Sequence, residues 1–392
     1  MTNKHVTRRQ AIAGALATTT LTVAPSFVRT ARAAETFRIG LLIPLSGPAS
    51  LFGPSARNCG ELAIDMVNES GGVLGRKAEL LVADAGVPPA EAAKSALRLV
   101  LGKKVDLLVG MHNSAVRQAI AGTVKGRVPY VYSPVYEGGE CSPNLFMLGE
   151  TPQQQVRPTV RHFAATLGAK RFFLIGNDYV WPQVTNDLAK KYIAEIGGTV
   201  VGEEYVPLGP ANKFEAAVSQ IKGAKPDLVI ITLVGGDNVN FNRTFAEFGL
   251  DETIVRVSIL LEENTLLGIG AENSRELYSA MAYFANIQTP ENKAFVSRYK
   301  AKFGPKAAVL NTLAESNFVG IMFAQALANK AGSMEAGKLA ATAEGLTVET
   351  PTGPITMRNR HTDKNIFLAA SRGTEFEVVK TFENVPSGQT CA

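Results

Sequence analysis

The chain has 392 residues, which is enough for two globular domains of ordinary size. Its formal net charge is +5, but residues 1–33 contribute five lysines and arginines and no acidic residue. Without that segment the charge is near zero, which argues against a nucleic-acid partner. No stretch beyond residue 33 reaches the roughly 18 consecutive apolar residues that a membrane-spanning helix needs.

Residues 1–33 have the pattern of an export signal. A basic start over residues 1–9 is followed by a mildly apolar stretch over residues 11–24, and the segment ends in Ala-Arg-Ala, a small-x-small cleavage pattern. The pair Arg8 and Arg9 directly precedes the apolar stretch and favours the twin-arginine route over an ordinary secretory signal. We therefore expect an exported protein that is cleaved after residue 33.

The three cysteines, Cys59, Cys141 and Cys391, lie far apart in the chain and form no C-x-x-C motif. An oxidising compartment permits one disulfide, but the spacing does not say which pair forms it. Cys391 is next to the last residue, so we expect it to be unpaired or disordered. No spacing suits a metal ion, and we expect neither a metal nor a cofactor.

Apolar runs of strand length alternate with segments of helical periodicity. Before residue 150 we predict strands at 37–44, 78–82, 105–110 and 128–133, and helices at 55–68, 89–101 and 115–125. After it we predict strands at 171–176, 199–205, 226–232, 254–258 and 278–284, and helices at 152–167, 181–196, 214–222 and 237–248. Two long helices follow at 291–302 and 313–330, and short strands with turns at 355–382.

Regular alternation of strands and helices predicts α/β lobes whose parallel sheets carry helices on both faces. The pattern occurs twice, once before Gly149 and once after it, so we expect two similar lobes. Candidate crossings between them lie at residues 148–152, 284–287 and 347–351. A hinge of this kind lets two lobes close around a ligand.

The unit from residue 105 to residue 149 places hydroxyl groups where a ligand would be held. Ligands of open parallel sheets bind beyond the carboxyl ends of the strands. Ser114, Tyr132, Ser133 and Tyr136 follow two such strands. Ser114 also precedes a helical segment, and capping of that helix is the alternative role for its hydroxyl.

Several motifs carry a resemblance to a known family. The chain resembles, over nearly all of its length after the export segment, periplasmic solute-binding proteins of the leucine/isoleucine/valine-binding type. The most specific runs, YEGGECSPN at 136–144 and DYVWP at 178–182, are similar to the branch that binds urea and short aliphatic amides. Other shared runs are IGLLIPLSG, GGVLG, GETPQQQVRP, LLEE and TPENKAF.

The resemblance implies a type I periplasmic binding protein fold, in which two α/β lobes are joined by three crossings. On that basis we assign residues 35–149 and 286–348 to lobe I, and residues 150–285 and 349–392 to lobe II. It also implies ligand contacts from both lobes. The implied ligand-binding residues are Ser114, His112, Tyr132, Ser133, Tyr136, Tyr179, Trp181, Asp237 and Glu262.

Structural alternatives accompany these assignments. Trp181 could be a core or hinge aromatic, Asp237 a helix N-cap, and Glu262 part of a solvated face. His112 stands where the amide-sensing relatives tend to carry tyrosine, and a lone histidine is more often structural. We expect the two remaining histidines of the mature chain, His162 and His361, at the surface.

The resemblance implies the binding component of an ABC importer, working in the periplasm as a monomer with a membrane permease. Urea or a short amide is the expected solute, and a branched-chain or other amino acid is the alternative. An intracellular amide sensor of the same fold is disfavoured by the export signal. An amide hydrolase is disfavoured because the nucleophile motif G-x-S-x-G and the metal motif H-E-x-x-H are absent.

Overall fold

The computed structural model describes residues 1–2, 35–209 and 213–391, and all helices and strands named here lie in the compact unit that begins at Glu35. The predicted export signal falls almost entirely outside the described residues. Within the described part, no helix has the length and apolar character needed to cross a bilayer.

The strands of the described chain are β1 (Phe37–Ile43), β2 (Ala78–Asp84), β3 (Leu107–Gly110), β4 (Tyr130–Tyr132), β5 (Leu145–Met147), β6 (Arg171–Asn177), β7 (Thr199–Val206), β8 (Leu228–Thr232), β9 (Val255–Ser258), β10 (Leu277–Met281), β11 (Thr347–Val348), β12 (Ile355–Arg358), β13 (His361–Arg372) and β14 (Glu375–Val385). The helices are α1 (Gly53–Glu69), α2 (Pro89–Leu97), α3 (Ser114–Val124), α4 (Pro152–Leu167), α5 (Val180–Glu195), α6 (Glu215–Ala224), α7 (Gly236–Glu247), α8 (Glu263–Ile269), α9 (Pro290–Phe303), α10 (Thr312–Ala331) and α11 (Ala336–Ala343).

The predicted alternation is confirmed, and it produces two parallel sheets of the same topology. The first has the order β2-β1-β3-β4-β5, and the second has the order β7-β6-β8-β9-β10. In both, the first strand lies between the second and the third. The order in which strands are added to each sheet therefore reverses at β1/β3 and again at β6/β8, and such switch points leave a crevice beyond the carboxyl ends of the strands.

Strand β13 joins the two sheets, which differs from the short strands predicted at 355–382. Its first residue pairs in parallel with β5, and its later residues pair antiparallel with β10 and with β14. Three polar residues, Asp363, Lys364 and Asn365, interrupt the apolar pattern of β13, so the sequence does not indicate one continuous strand of 12 residues. The structure accommodates Lys364 because its buried amino group donates a hydrogen bond to the carbonyl oxygen of Leu148.

Residues on either side of the second predicted crossing, 284–287, contact the other two crossings. The Glu150 carboxylate accepts a hydrogen bond from the Ala282 amide at 2.7 Å, and the Thr289 hydroxyl donates to the Pro351 carbonyl at 2.7 Å. Helices α9 and α10 follow the second sheet in the chain but pack against α1 of the first. The division into lobes at these crossings remains a prediction.

Gly149, in the first crossing, is in contact with the loop after β4. A Cβ atom at this position would lie 1.6 Å from the carbonyl oxygen of Pro134, a backbone atom that cannot move alone. Glycine therefore permits the close approach of two backbone segments, one at a crossing and one at the carboxyl end of the first sheet.

Glu263 connects α8 to the crossing at 284–287, because its carboxylate accepts a hydrogen bond from the Ala285 amide at 2.8 Å. Burial, together with the nearby charge of Glu262, raises the pKa of Glu263 to about 8 from an ordinary value of 4.5. Between those pH values the folded protein holds a proton that the unfolded chain releases. The free energy of unfolding should therefore fall as the pH rises from about 4.5 to 8.

We expect Glu263→Gln to make that fall shallower, because glutamine does not titrate. Urea unfolding at pH 5, 6.5 and 8 gives the free energy of unfolding at each pH, and hence its slope against pH, for each protein. Some slope should remain, since burial also raises the pKa of Glu315 to about 8. Glu247→Gln, at an exposed position, is the control and should behave like the parent protein. Equal slopes for Glu263→Gln and the parent protein would contradict the prediction.

Candidate ligand-binding site

A cavity of about 60 Å³ lies at the carboxyl ends of strands from both sheets. The first sheet contributes the loops after β1, β3 and β4, and the second contributes the loops after β6, β7, β8 and β9. Both switch points therefore border the same space, at the edge of each sheet where ligands of such folds bind. The lining residues are Pro44, Ala49, Phe52, Met111, His112, Asn113, Ser114, Tyr132, Pro134, Val135, Tyr179, Trp181, Leu208, Val234, Leu260 and Leu313.

Five of the nine predicted ligand-binding residues line this cavity, and they come from both sheets. The other four, Ser133, Tyr136, Asp237 and Glu262, lie outside its wall. The five in the wall are His112, Ser114, Tyr132, Tyr179 and Trp181.

Ser114 is the first residue of α3, but it does not cap the helix. The cap is Asn113, whose side-chain oxygen accepts a hydrogen bond from the Val116 amide at 2.9 Å. The alternative role for Ser114 is therefore wrong. Its hydroxyl instead donates to a carboxylate oxygen of Glu137 at 2.5 Å.

A buried ion-pair cluster behind Ser114 was missed by the reasoning from sequence. The guanidinium group of Arg117 contacts carboxylate oxygens of Glu137 at 2.8 Å and of Glu140 at 3.3 Å. It also lies over the ring of Tyr132, 5.2 Å from its centroid. Arg117 follows Ser114 by three residues, a spacing that places both on one face of a helix, and that spacing was the available signal.

His112 contributes its ring to the wall while both ring nitrogens are engaged elsewhere. Nδ1 lies 3.1 Å from the Asn113 carbonyl oxygen, which can only accept, so Nδ1 carries the proton. Nε2 then accepts from the Tyr130 hydroxyl at 2.7 Å. Burial lowers the pKa of His112 to about 3, so the ring is neutral at ordinary pH. The absence of a side chain at Gly110 leaves room for this pair, since a Cβ there would lie 2.7 Å from each partner atom.

Trp181 belongs both to the hydrophobic core and to the cavity wall, so its two proposed roles are compatible. It is 2% exposed, and its ring lies 6.3 Å from that of Tyr179, centroid to centroid. Among the described residues its buried indole N–H has no hydrogen-bond acceptor. A donor without an acceptor in a cavity wall is available to a bound molecule.

Ser133 and Tyr136 belong to the interior behind the cavity. The Ser133 hydroxyl donates to the Gly110 carbonyl at 3.3 Å and accepts from Ser316 at 3.2 Å. The Tyr136 hydroxyl pairs with Nε2 of His361, and the two rings stack. His361 is 1% exposed, so the prediction that it lies at the surface is wrong. Tyr136, with which His361 pairs, is 225 residues away in the chain, so the local sequence could not predict the contact.

The carboxylates of Asp237 and Glu262 accept hydrogen bonds from side-chain and backbone groups around the second sheet. Asp237 lies in the first turn of α7 behind the cap Gly235, and its carboxylate accepts from the Asn177 side chain at 2.7 Å. Glu262 is the N-cap of α8 and accepts from two backbone amides and the Thr265 hydroxyl. Glu262 is 1% exposed, so the predicted solvated face is wrong.

A disulfide joins Cys141 to Cys391 across 250 residues of sequence. The expectation that Cys391 is unpaired or disordered is therefore wrong, and Cys59 is the free thiol. Near the bond, the Gln389 side chain accepts a hydrogen bond from the Gly139 amide at 2.7 Å. The chain end thus fastens the loop that carries Glu137.

The wall of the cavity is chiefly apolar and aromatic, with a small set of hydrogen-bonding atoms. Within the described ranges, none of the lining side chains is acidic or basic apart from the neutral His112. No group of histidine, cysteine and acidic residues in those ranges is arranged to hold a metal ion. An apolar wall with a few hydrogen-bonding atoms, at the switch points of two sheets of the same topology, is typical of a site for a small molecule.

Comparison with known proteins identifies the class of protein. The model of the periplasmic binding protein family matches residues 36–374, and the chain belongs to this family. A Leu/Ile/Val-binding protein of Rhizobium johnstonii is 25% identical over 352 residues, covering 87% of this chain and 92% of the relative. A Leu/Ile/Val-binding protein homologue of Brucella melitensis is 26% identical over 378 residues, covering 91% and 94%.

Solved structures of the same fold carry different ligands. A solute-binding protein of an ABC transporter from Rhodopseudomonas palustris, in complex with 3,4-dihydroxybenzoic acid, is 25% identical with a TM-score of 0.80 and covers 90% of this chain and 99% of its own. The branched-chain amino acid transporter substrate-binding protein of Streptococcus pneumoniae, in complex with isoleucine, has a TM-score of 0.77 at 21% identity and covers 89% and 100%. The second likeness concerns the fold alone.

Proposed function

We propose that this protein is the substrate-binding component of an ABC importer in the periplasm and that its solute is a branched-chain amino acid. One observation carries the proposal: apolar side chains from the strand ends of both sheets surround a few hydrogen-bonding atoms. A solute that touches both halves stabilises the closed arrangement, which a membrane permease can then recognise. The names of the Rhizobium and Brucella relatives support the choice of solute.

A short amide or urea is the second candidate, and the size of the cavity favours it. Each molecule of liquid water takes up roughly 30 Å³, so a space of about 60 Å³ corresponds to about two water molecules. Urea or acetamide fits that space, whereas leucine requires the cavity to widen. No carboxylate among the described lining residues stands ready for an ammonium group, which also suits a neutral amide.

Titration calorimetry on the mature protein separates the two candidates. The panel is leucine, isoleucine and valine against urea, acetamide and isobutyramide, with 3,4-dihydroxybenzoate as a third class. Tightest binding of an amino acid supports the proposal, and tightest binding of an amide supports the second candidate. Binding of the aromatic acid alone, or of nothing in the panel, contradicts both.

We expect Trp181→Ala to weaken binding of the preferred solute by about tenfold or more, since it removes an aromatic wall and a hydrogen-bond donor. Tyr192→Ala is the matched control, because Tyr192 lies on the same helix, α5, but outside the cavity. An equal loss in both variants would mean that the effect comes from α5 and not from the site.

A further inference from the structure

A second, smaller cavity with polar walls, the chamber, is enclosed in part by the predicted crossings. Its volume is about 20 Å³. The wall includes Glu150 of the first crossing, Thr350 of the third, and Ala282, which follows β10 and leads into the second. Glu315 of α10 and Lys364 of β13 also line it. Movement of the chain about these crossings therefore changes the surroundings of the groups in the chamber.

Two short segments contribute to both the chamber and the solute cavity. Leu313 of α10 lines the solute cavity, and Glu315, on the same helix, lines the chamber. In the loop after β4, Pro134 lines the solute cavity and Ser133 lines the chamber. The arrangement of the crossings and the shape of the solute cavity are thus connected through buried stretches of chain.

Three charged groups of the chamber are buried together. Glu150, Glu315 and Lys364 are 4%, 6% and 8% exposed, and we call them the crossing cluster. Glu150 accepts a hydrogen bond from the Ala282 amide, and Lys364 donates one to the Leu148 carbonyl oxygen. Fully ionised, the cluster would carry one excess negative charge where screening by water is weak. One added proton removes that excess.

Glu315 is the group of the cluster that is suited to take this proton. Burial raises the pKa of Glu315 to about 8, with the charge of Lys364 opposing the rise and that of Glu150 adding to it. Two further ionisable groups face Glu315, namely Cys59 on α1 and Tyr283 just before the second crossing. Both stay protonated up to pH 8, because burial raises the pKa of each above its already alkaline ordinary value.

We propose that Glu315 is a positioning residue that takes up a proton when the protein closes over its solute, and that solute affinity therefore depends on pH. In the arrangement described here, in which both sheets border one cavity, the proton balances the crossing cluster. When the two halves open, water reaches the chamber and Glu315 ionises as an ordinary carboxyl group does. This inference rests on the proposed function, because it requires a solute that drives closure.

The sign of the pH effect follows from these two states. Between about pH 4.5, the ordinary value for a glutamate, and about pH 8, the closed protein holds a proton on Glu315 that the open protein lacks. Solute binding then consumes a proton, so affinity should fall as the pH rises through this window. From pH 5.5 to pH 8 we expect the dissociation constant to increase by at least about tenfold.

Calorimetry measures the proton directly. Leucine, isobutyramide and urea are the probes, since leucine stays a zwitterion and the other two stay neutral between pH 5.5 and pH 8. The binding enthalpy in buffers that differ in enthalpy of ionisation gives the number of protons taken up per solute. We expect about one proton at pH 6.5 and about half a proton at pH 8 for a probe that binds.

Glu315→Gln should abolish this uptake and make the affinity nearly independent of pH, because glutamine does not titrate. A purely structural role for Glu315 would lower affinity or stability and leave the proton uptake in place. Glu247→Gln, at an exposed position, is the control and should behave like the parent protein.

Glu263 is the competing source of the proton, since burial also raises its pKa to about 8. Glu263→Gln should keep the uptake. Uptake that is lost in Glu263→Gln and persists in Glu315→Gln would assign the proton to the start of α8 and overturn the inference.

Lys364→Met gives a second test that still applies if Glu315→Gln does not fold. It removes the positive charge that opposes the rise in the pKa of Glu315. Uptake at pH 8 should therefore increase from about half a proton towards about one. Unchanged uptake at pH 8 in Lys364→Met would contradict the inference.

The outcomes separate this inference from the proposed function. A parent protein that binds one of the probes without taking up a proton overturns the inference and leaves its role as a solute-binding component standing. A parent protein that binds none of the probes overturns both.

Discussion

Arg117→Met is expected to lower the free energy of unfolding by about 3–5 kcal/mol, because it leaves a carboxylate buried without its counter-charge. Glu137 is 5% exposed and would retain the Ser114 hydroxyl, while losing the guanidinium at 2.8 Å. The change also removes the cation from the faces of Tyr132 and Tyr136. Urea unfolding at neutral pH measures the effect, with the midpoint and slope read separately.

A surface pair provides the matched control. Arg275 contacts Glu252 at 2.6 Å, but both side chains are more than half exposed, so Arg275→Met should cost less than about 1 kcal/mol. The double variant Arg117→Met, Glu137→Leu should be more stable than Arg117→Met alone, since the more deeply buried of the two orphaned carboxylates is gone. Equal losses at Arg117 and Arg275 would show that burial of the first pair has no energetic consequence.

Loss of the Cys141–Cys391 disulfide is expected to lower stability by about 2–4 kcal/mol, because the bond closes a very long loop in the unfolded chain. The same bond secures the loop that carries Glu137 and Glu140. Reduction should therefore also weaken solute binding through Ser114. The double variant Cys141→Ser, Cys391→Ser, compared with the parent by urea unfolding and calorimetry, measures both effects.

Reductant supplies the internal control for this prediction. Dithiothreitol should destabilise the parent protein and leave the double serine variant unchanged. Cys59 is buried and already a free thiol, so it adds no redox response of its own. A parent protein that unfolds identically with and without reductant would show that the bond contributes no stability.

Local signals were enough where the structure depends on neighbouring residues. Helix α4 spans Pro152–Leu167, the range predicted from its periodicity. Thr151 and Gln154 form a capping box at its start, and Gly168 ends it in the left-handed conformation. The positions of the loops after the strands followed in the same way, and they carried the prediction that Ser114, Tyr132 and Tyr179 lie at strand ends.

Contacts between distant segments could not be read in the same way. The pairs Tyr136–His361 and Cys141–Cys391 join residues more than 200 positions apart, and nothing local marks either partner. Nothing in the local sequence around Lys364 indicates that its amino group is buried against the carbonyl oxygen of Leu148. Sequence also gave no sign that the carboxylates of Asp237 and Glu262, which we predicted as ligand contacts, accept hydrogen bonds from side-chain and backbone groups nearby.

The amino-acid sequence by itself determined the two α/β repeats, the order of most helices and strands, and the strand ends at which a solute site can form. These follow from periodicity, capping and turn chemistry, which act over a few residues. Only the tertiary structure decided which polar groups at those ends remain available and which are already engaged. A hydroxyl such as that of Ser114 acquires its direction from Glu137 and Arg117, and that direction exists only once the chain has brought them together.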